Sequence, residues 1–529
     1  MKALMVLTLL ESCMLYLSGA SSMEELSQEQ IEHYEYFISR PLAINLGNVH
    51  ALTASGLMSA YQAASLADYR ARCGDVVSIA ELAAVDGFGE DYARALEPFI
   101  SLEVRGGRLG EGAQDSLRLR GECRLQGRMR REGGDGGMRV LVESSGRMRG
   151  KVALALRDRR MTFSSMLELR RAKLIVGDFN MRFAQGVDVW SGMSLSGYPT
   201  LASFMRKSSG MTPSRSYTSY YRGLCGSCEF GKSVLSAALS FPGLEKRMRG
   251  VRSADVGCMP LVNYTSLGRN FQWGSTAHAI FEPGRGVSGG AAGVDGRLSV
   301  GRADVFGELV FAKSDGDRWR TKLLVGGLLN IAYRRRLGLT LRALPKDCGA
   351  AVGLEWGAWE FVADASYNSL RGTRSYKSQL CWGSVPGRAW QLRARWQERF
   401  RPADHYSLRS DLRMDLAYSA DVLRATLRAN VVHCRKLAWL GYLELGAVST
   451  ALSAYARATV YNAGSREDRI YCYRRELPGG FSVPAYYGRG WELSAIASYK
   501  ISLPHYRRLS FQVLANSRPE CKAQIVVVF

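Results

Sequence analysis

Apolar and polar residues alternate with a period of two from about residue 115 to the end of the chain. In residues 491–501, apolar or aromatic side chains occupy the odd positions, while Glu492 and Lys500 stand at even positions. The same alternation occurs at 390–397, 411–418 and 423–431. Successive side chains of a strand point to opposite faces, so each stretch predicts a β-strand with one apolar and one charged face.

The polar faces of these predicted strands are rich in arginine. They carry Arg393, Arg395, Arg413, Arg424 and Arg428. A soluble sandwich would also alternate, but lipid outside and water inside explain why an apolar face lies opposite so basic a face, which favours a transmembrane barrel. Roughly 415 residues, at about 10 per strand plus turns, predict on the order of 14–18 strands. We expect a basic lumen that favours anions if it is open.

The chain ends on a strand-like segment, residues 522–529, whose last residue is Phe529. A final strand that ends on an aromatic residue resembles the assembly signal of Gram-negative outer-membrane barrels. The resemblance implies that Phe529 is an assembly signal and that the barrel-assembly machinery is a partner. It also implies a barrel in the outer membrane, in contact with its lipids and lipopolysaccharide.

Residues 23–104 follow a different pattern, that of short helices. Ser27 and Gln30 have the spacing of a capping box, in which the serine hydroxyl and the glutamine side chain each satisfy a backbone N–H of the other residue. Ser78 and Glu81 repeat this arrangement before a second apolar stretch. Both positions predict the beginning of a helix.

Charge separates the same two regions of the chain, whose overall net charge is +23. Residues 23–104 hold 13 acidic residues, 4 Arg and no Lys, which leaves a net charge of −9. Residues 105–529 hold 66 basic and 34 acidic residues, which leaves +32. An asymmetry of this kind marks two physically different parts.

Residues 84–96, AVDGFGEDYARAL, place a Gly-x-Gly turn between two helical stretches. Together with the helical residues before it, this pattern resembles the tandem helix-hairpin-helix unit of the competence DNA-receptor type, over roughly residues 40–100. The resemblance implies contacts with a DNA backbone through Gly87, Phe88 and Gly89, because glycine lets backbone N–H groups approach phosphates closely.

Two features of this unit favour a protein partner over DNA. The first hairpin, near residues 55–58, is degenerate, and Asp86, Glu90 and Asp91 surround the second. Basic side chains that neutralise phosphates supply nearly all non-specific DNA affinity, and this part has few of them. We therefore expect it to bind a periplasmic protein, with DNA binding in DNA uptake as the alternative.

Residues 1–22 combine Lys2, a mostly apolar core and small residues near their end. This pattern is typical of a secretory signal peptide, which we expect to be cleaved near Ala20 or Ser22. Lipid attachment at Cys13 is the alternative. No later run of about 18 apolar residues occurs, so the sequence predicts no membrane-spanning helix.

Residues 177–192 and 480–490 look like stretches shared by uncharacterised Bacteroidales-type outer-membrane proteins. From the residues alone, their glycines predict bends and close contacts, and their aromatic side chains predict positions at the membrane interface. The resemblance implies a small all-α helix-hairpin-helix domain followed by a large antiparallel transmembrane β-barrel. The predicted boundaries are a signal peptide at 1–22, a periplasmic helix-hairpin-helix domain at 23–104, and a linker and outer-membrane barrel at 105–529. We expect such a protein to act in transport or envelope assembly.

No pattern of residues predicts catalysis, a metal site or a cofactor, and we expect no enzymatic activity. Gly286–Gly290 fits G-x-S-x-G and residues 284–289 fit G-x-G-x-x-G, but neither stretch follows an apolar strand and opens a helix, so a loop or barrel turn is predicted. The six histidines show no ligand spacing. Cys225 and Cys228 form a lone CxxC, for which a disulfide and two free thiols both stay open.

Overall fold

A computed structural model gives the structure of the chain. It describes residues 6–103 and, with short gaps, residues 118–529. The gaps lie at 131–132, 146–148, 158–159, 170, 193–196, 215–220, 243–256, 314–318, 346, 384–388, 403–405, 421, 504–507 and 518–519. Lys2 and the predicted linker after residue 104 lie outside the described residues.

The described N-terminal residues form short helices, as their capping patterns predict. The α-helices are α1 (Val6–Ser18), α2 (Gln28–Ser39), α3 (Val49–Ala54), α4 (Ala60–Cys73), α5 (Ile79–Ala84) and α6 (Gly89–Leu96), and the 3-10 helices in this part are Met23–Glu25 and Glu97–Phe99. The Ser27 hydroxyl accepts a hydrogen bond from the Gln30 backbone N–H at 3.2 Å, and the Ser78 hydroxyl accepts one from the Glu81 N–H at 3.1 Å. Each bond satisfies an N–H group that the first turn of a helix leaves free.

A parallel pair of two-residue strands ties the beginning of this helical part to its end. These strands are β1 (Leu42–Ala43) and β2 (Ile100–Ser101). The apolar faces of the helices pack around one core, in which Leu52, Leu66 and Phe99 are fully buried. We call residues 23–103 the helical module.

The remaining described residues are mostly strands. They are β3 (Arg118–Arg130), β4 (Gly133–Ser145), β5 (Arg149–Arg157), β6 (Arg160–Glu168), β7 (Ala172–Arg182), β8 (Gly210–Pro213), β9 (Tyr221–Phe230), β10 (Ser233–Ser240), β11 (Met259–Leu267), β12 (Phe271–Glu282), β13 (Gly286–Val300), β14 (Ala303–Lys313), β15 (Arg320–Ala332), β16 (Arg335–Leu344), β17 (Asp347–Trp356), β18 (Trp359–Asn368), β19 (Thr373–Gly383), β20 (Trp390–Arg401), β21 (Tyr406–Ala420), β22 (Leu423–His433), β23 (Leu437–Val448), β24 (Leu452–Ala463), β25 (Ile470–Tyr471), β26 (Ala485–Tyr486), β27 (Gly488–Ile501), β28 (Arg508–Asn516) and β29 (Glu520–Val528).

These strands close into an antiparallel barrel, in which β29 pairs with β3. Over the described residues the barrel has 24 full strands, with the short β8 inserted beside β7 and with β25 and β26 forming a separate hairpin. The predicted number of 14–18 strands is therefore wrong. Many connections are shorter than expected, such as the two residues Gly301 and Arg302 between β13 and β14, so the same length of chain supplies more strands.

The alternating faces lie as the sequence predicts, with apolar residues outside and polar residues inside. Leu412, Leu427 and Trp396 are about half exposed on the outer surface, whereas Arg413 and Arg428 are buried inside. A closed barrel leaves no unpaired backbone edge, and an apolar exterior matches lipid. The chain is thus an outer-membrane-type transmembrane β-barrel.

The two ends of the barrel differ in their connections. At the end where β3 begins and β29 finishes, the described strands are joined by short turns, such as Tyr333–Arg334 between β15 and β16. We call this the turn end. The longest connections, between β7 and β9 and between β24 and β27, lie at the opposite end, which we call the loop end. Among the described helices, none is long and apolar enough to cross a membrane.

Candidate functional site: the lumen of the barrel

The helical module lies in the lumen and the turn-end mouth of the barrel. Its carboxylates contact inward-facing arginines of strands all around the wall, as detailed below. The predicted unit at 23–104 is therefore packed against the barrel wall, and its location in the periplasm stays a prediction. The physical reason is charge, because a module of −9 meets a wall whose polar face is basic.

Glu24 is the centre of a buried ionic network. Its carboxylate accepts hydrogen bonds from Arg413 Nη1 at 2.9 Å, from Arg428 Nη1 at 2.6 Å and from the Tyr473 backbone N–H at 2.8 Å. Asp415 contacts both arginines from the other side. Two cations and two anions thus neutralise each other, and the module is joined to β21 and β22.

Helix α2 runs along the barrel axis. Near the loop end, Glu29 lies 2.8 Å from Arg182. Near the turn end, Arg40 Nε lies 2.8 Å from Glu143. Between them, Glu32 lies 3.2 Å from Arg139. A helix of twelve residues is about 18 Å long, so α2 fills a large part of the lumen's depth.

The second hairpin lies at the turn end. Gly87 and Gly89 both have positive φ, and Phe88 between them is buried in the module. A Cβ at Gly87 would lie 2.6 Å from the Tyr61 ring, whereas a Cβ at Gly89 would meet nothing within 4 Å. The turn therefore needs glycine at the first position for space and at both for backbone conformation.

The acidic residues around the second hairpin face basic residues of the barrel turns. Asp68 and Asp86 both contact Arg269, in the turn between β11 and β12. Asp91 lies 3.7 Å from Arg334, in the turn between β15 and β16. Carboxylates that flank the proposed DNA contact thus dock the module on the barrel.

The two glycine-rich stretches noted in the sequence also belong to the lumen. In residues 177–192, Phe179 and Met181 are fully buried, and the Trp190 ring lies under the Arg206 guanidinium at 5.0 Å. In residues 480–490, Tyr486 is buried inside the barrel. The prediction of a position at the membrane interface is therefore wrong for Phe179, on the inner face of β7, and for Tyr486, in the connection between β24 and β27 that folds inward; Tyr487, at 62% exposed, does not contradict it.

Both inward connections contact the wall or the module closely. Leu201 and Phe204, from the first connection, pack where Gly338 and Gly353 leave room on β16 and β17. In the second connection, the Gly479 backbone N–H donates to the Glu35 carboxylate at 2.9 Å. The described lumen is therefore filled by the N-terminal helices and by two loops, the connection between β7 and β9 and the connection between β24 and β27.

Two lumenal groups outside the strands have strongly shifted pKa values. Burial raises the pKa of Glu24, but Arg413, Arg428 and the Tyr473 N–H outweigh it and hold the pKa well below its usual value of 4.5. Burial raises the pKa of Glu35 to about 7, with only partial compensation from Arg124. The two carboxylates of the same module therefore respond to pH in opposite directions.

Helix α1 lies beside the module and borders a chamber. The chamber has a volume of about 1200 Å³ and lies between α1, α6 and the wall from β16 to β21. Its polar lining includes Arg336, Glu360 and Arg393. Next to it, Ser12 of α1 contacts Arg393 of the wall, and Glu11 contacts Arg475 in the connection between β24 and β27.

The C-terminal residue lies at the seam of the barrel. The Phe529 N–H donates to the Gly121 carbonyl at 3.0 Å, and the Gly121 N–H donates to the Phe529 carbonyl at 2.9 Å. A Cβ at Gly121 would lie 2.1 Å from the Phe529 ring, so the ring covers the glycine. The role of Phe529 as an assembly signal stays a prediction.

The remaining sequence candidates lie in the wall. Ser288 is in β13, not at a strand-to-helix turn, so the G-x-S-x-G pattern does not form a nucleophile elbow. Cys225 and Cys228 lie in β9 and are both free thiols, because side chains three apart in a strand point to opposite faces. Among the described residues, no group of three His, Cys, Asp or Glu side chains is placed to hold a metal ion.

Comparison with known proteins finds similarity only at the level of fold. No protein-family model matches the chain, and no curated protein matches it. The P pilus usher (PapC) translocation pore aligns with 78% of this chain and 98% of its own, at 9% identity and a TM-score of 0.34. PapC in an E. coli P pilus tip assembly intermediate with PapD, PapK and PapG aligns with 79% and 62%, at 10% identity and a TM-score of 0.45. Pseudomonas aeruginosa OccK11 (OpdR) aligns with 78% and 94%, at 11% identity and a TM-score of 0.28.

Sequence reasoning missed the residues that dock the module. Arg139, Arg182, Arg269 and Arg334 are spread over the wall and its turns, and no local pattern links them to residues 23–104. The usable signal was the opposite net charge of the two parts, −9 and +32.

Proposed function

We propose that this protein is an outer-membrane transport protein whose lumen is closed by its own helical module and opens when the module shifts. The observation that carries the proposal is the ionic docking of α2 along the barrel axis, from Arg182 to Glu143. An anchor in the membrane needs no ion-paired plug, whereas a gated passage does. Insertion by the barrel-assembly machinery, contact with lipopolysaccharide and a non-enzymatic role belong to the same proposal.

The docking is ionic, and this suits a plug that moves. Charged pairs across an interface set position and register, yet their net stabilisation is modest because each charge loses water on burial. An apolar interface of the same size would hold the module more permanently. The module can therefore be specifically placed and still released by a partner that competes for its charges.

A periplasmic protein is the partner that we propose for release. The turn end carries exposed parts of the module, including Val77, Glu90 and Arg94. By the short turns of outer-membrane barrels, this end faces the periplasm. A protein that binds there reaches the hairpins without entering the lumen.

The test is solute flux through the purified full chain in liposomes. We expect slow flux of small sugars and ions through the intact protein and fast flux through a variant without residues 23–101. Correct folding of both is checked by heat-modifiable gel migration. A deletion variant that folds but passes no solute contradicts the transport proposal.

DNA uptake is the second candidate, favoured by the open space at Gly89 and by the position of the second hairpin at the turn end. Against it stand Asp68, Asp86 and Asp91, whose carboxylates already pair with Arg269 and Arg334 and would repel phosphate more strongly if these arginines left them. We expect duplex DNA to bind no better than about 10⁻⁴ M at physiological salt, the weak end of non-specific binding. Micromolar binding that falls steeply with salt and is lost in a Gly89→Val variant would establish DNA uptake instead.

A further inference from the structure

Two consecutive residues of α1 are bound by polar groups of the barrel interior. The Glu11 carboxylate lies 2.8 Å from Arg475 Nη1. The Ser12 hydroxyl accepts a hydrogen bond from Arg393 Nη2 at 2.6 Å and donates one to the Gln391 side-chain oxygen at 3.2 Å. The interior therefore recognises a carboxylate and a nearby hydroxyl, whose parent Cα atoms are about 3.8 Å apart.

Arg475, which binds Glu11, is held in place by groups outside α1. Arg475 Nε donates to Glu444 at 2.8 Å, and its guanidinium stacks on the Tyr455 ring at 4.1 Å. Arg393 and Gln391 project from the same face of β20, two residues apart. Loss of α1 would leave Arg475 in place beside Glu444 and would leave Arg393 and Gln391 without Ser12 as their partner.

Charge makes the vacancy favourable for an anion. Among the described residues, no carboxylate lies within ion-pair distance of Arg393, whose close polar partner is Ser12. Without Glu11, Arg475 and Arg457 share the single carboxylate Glu444. A guanidinium without a counter-ion in a partly buried site attracts a carboxylate strongly.

We propose that this patch, formed by Gln391, Arg393 and Arg475, binds a small hydroxylated carboxylic acid in the mature protein. The sequence predicts that α1 belongs to a cleaved signal peptide, and its removal joins the 1200 Å³ chamber to the patch. In the uncleaved chain, residues 11–12 occupy the position that the solute takes after cleavage. The inference rests on the proposed transport function and names the class of solute.

The experiment is calorimetric titration of the purified full-length product in detergent, after its N-terminal residue has been determined by mass spectrometry. The probe is sodium gluconate, which carries a carboxylate and hydroxyls, and the neutral control is glucose. We expect gluconate to bind and glucose not to bind. We expect Arg393→Gln and Arg475→Gln each to weaken gluconate binding by about 10-fold or more, the loss of a charge-assisted hydrogen bond.

The matched control is Arg335→Gln, which should leave gluconate binding unchanged. The Arg335 guanidinium lies on the outer face of the barrel, 4.4 Å from the centre of the Trp356 ring. Arg393→Lys keeps the charge and should lose less affinity than Arg393→Gln. Equal binding of gluconate and glucose, unchanged binding in both glutamine variants, or a purified chain that retains Glu11 and Ser12 would each overturn the inference. Binding without flux contradicts the transport proposal alone, and flux without binding contradicts this inference alone.

Discussion

Replacing Glu24 by Gln should release the helical module from the barrel wall. The change removes one anion from a network of two anions and two cations, which leaves Arg413 and Arg428 with Asp415 as their only carboxylate partner there. These side chains are between 8% and 17% exposed, so solvent compensates little for the lost charge. Breaking a buried ion pair from one side typically costs about 3–5 kcal/mol.

This free-energy cost acts on the docking equilibrium of the module, because the variant leaves the strand pairing of the barrel unchanged. At about 1.4 kcal/mol per tenfold, the undocked fraction should rise between about 10²- and 4 × 10³-fold. The measurement is single-channel conductance in planar bilayers, with limited proteolysis of the module as a second readout. We expect more frequent openings and faster cleavage between residues 23 and 103.

The matched control is Glu90→Gln in the same module. Glu90 is more than half exposed and pairs only with Arg94 one helical turn away, so this change should cost at most about 0.5 kcal/mol. The pH dependence adds a second check. The pKa of Glu24 is depressed in the docked state, so its contribution is present above about pH 4.5 and is lost as the pH falls through the docked pKa. The reasoning is refuted if Glu24→Gln and Glu90→Gln give the same open probability.

Three further predictions concern other parts of the molecule. Gly121→Val should abolish most folded barrel in the membrane because the valine side chain would overlap the Phe529 ring, whereas Gly127→Val on the same strand, with open space around it, should fold normally. Heat-modifiable gel migration measures the folded yield of both variants, and equal yields would contradict the seam contact. In the unaltered protein, module docking should weaken as the pH rises from about 4.5 to 7, because the docked state raises the pKa of Glu35 to about 7 and holds its proton. Glu35→Gln should abolish this pH dependence, which proteolysis across that range measures, and an unchanged pH profile would refute the assignment. Gly89→Ala should destabilise the hairpin by about 1–2 kcal/mol through its positive φ alone, and Gly87→Ala should destabilise it by more because the new side chain would also meet the Tyr61 ring. Hydrogen exchange of the module's backbone amides ranks the stability of the two variants, and the reverse order would contradict the packing.

Local patterns in the sequence were enough to determine the elements and their faces. The period-two alternation at 411–418 and 423–431 predicts strands with Leu412 and Leu427 outward and Arg413 and Arg428 inward, and the structure confirms both. Capping at Ser27 and Ser78 likewise predicts where helices begin. Both patterns depend only on residues within a few positions of each other, so they can be identified from a single sequence.

The number of strands and the filling of the lumen were decided by tertiary structure. Strand number depends on which connections are two-residue turns and which fold inward, and the alternation of side chains is the same in both cases. The aromatic residues of 177–192 and 480–490 have an apolar face that suits either lipid or the lumen, so their position follows from the inward path of the chain. Net charges of −9 and +32 predict attraction between the two parts. The choice of Arg413 and Arg428 as partners of Glu24 needs the folded barrel with the module inside it, because only this packing brings residues 389 and 404 positions apart within hydrogen-bond distance.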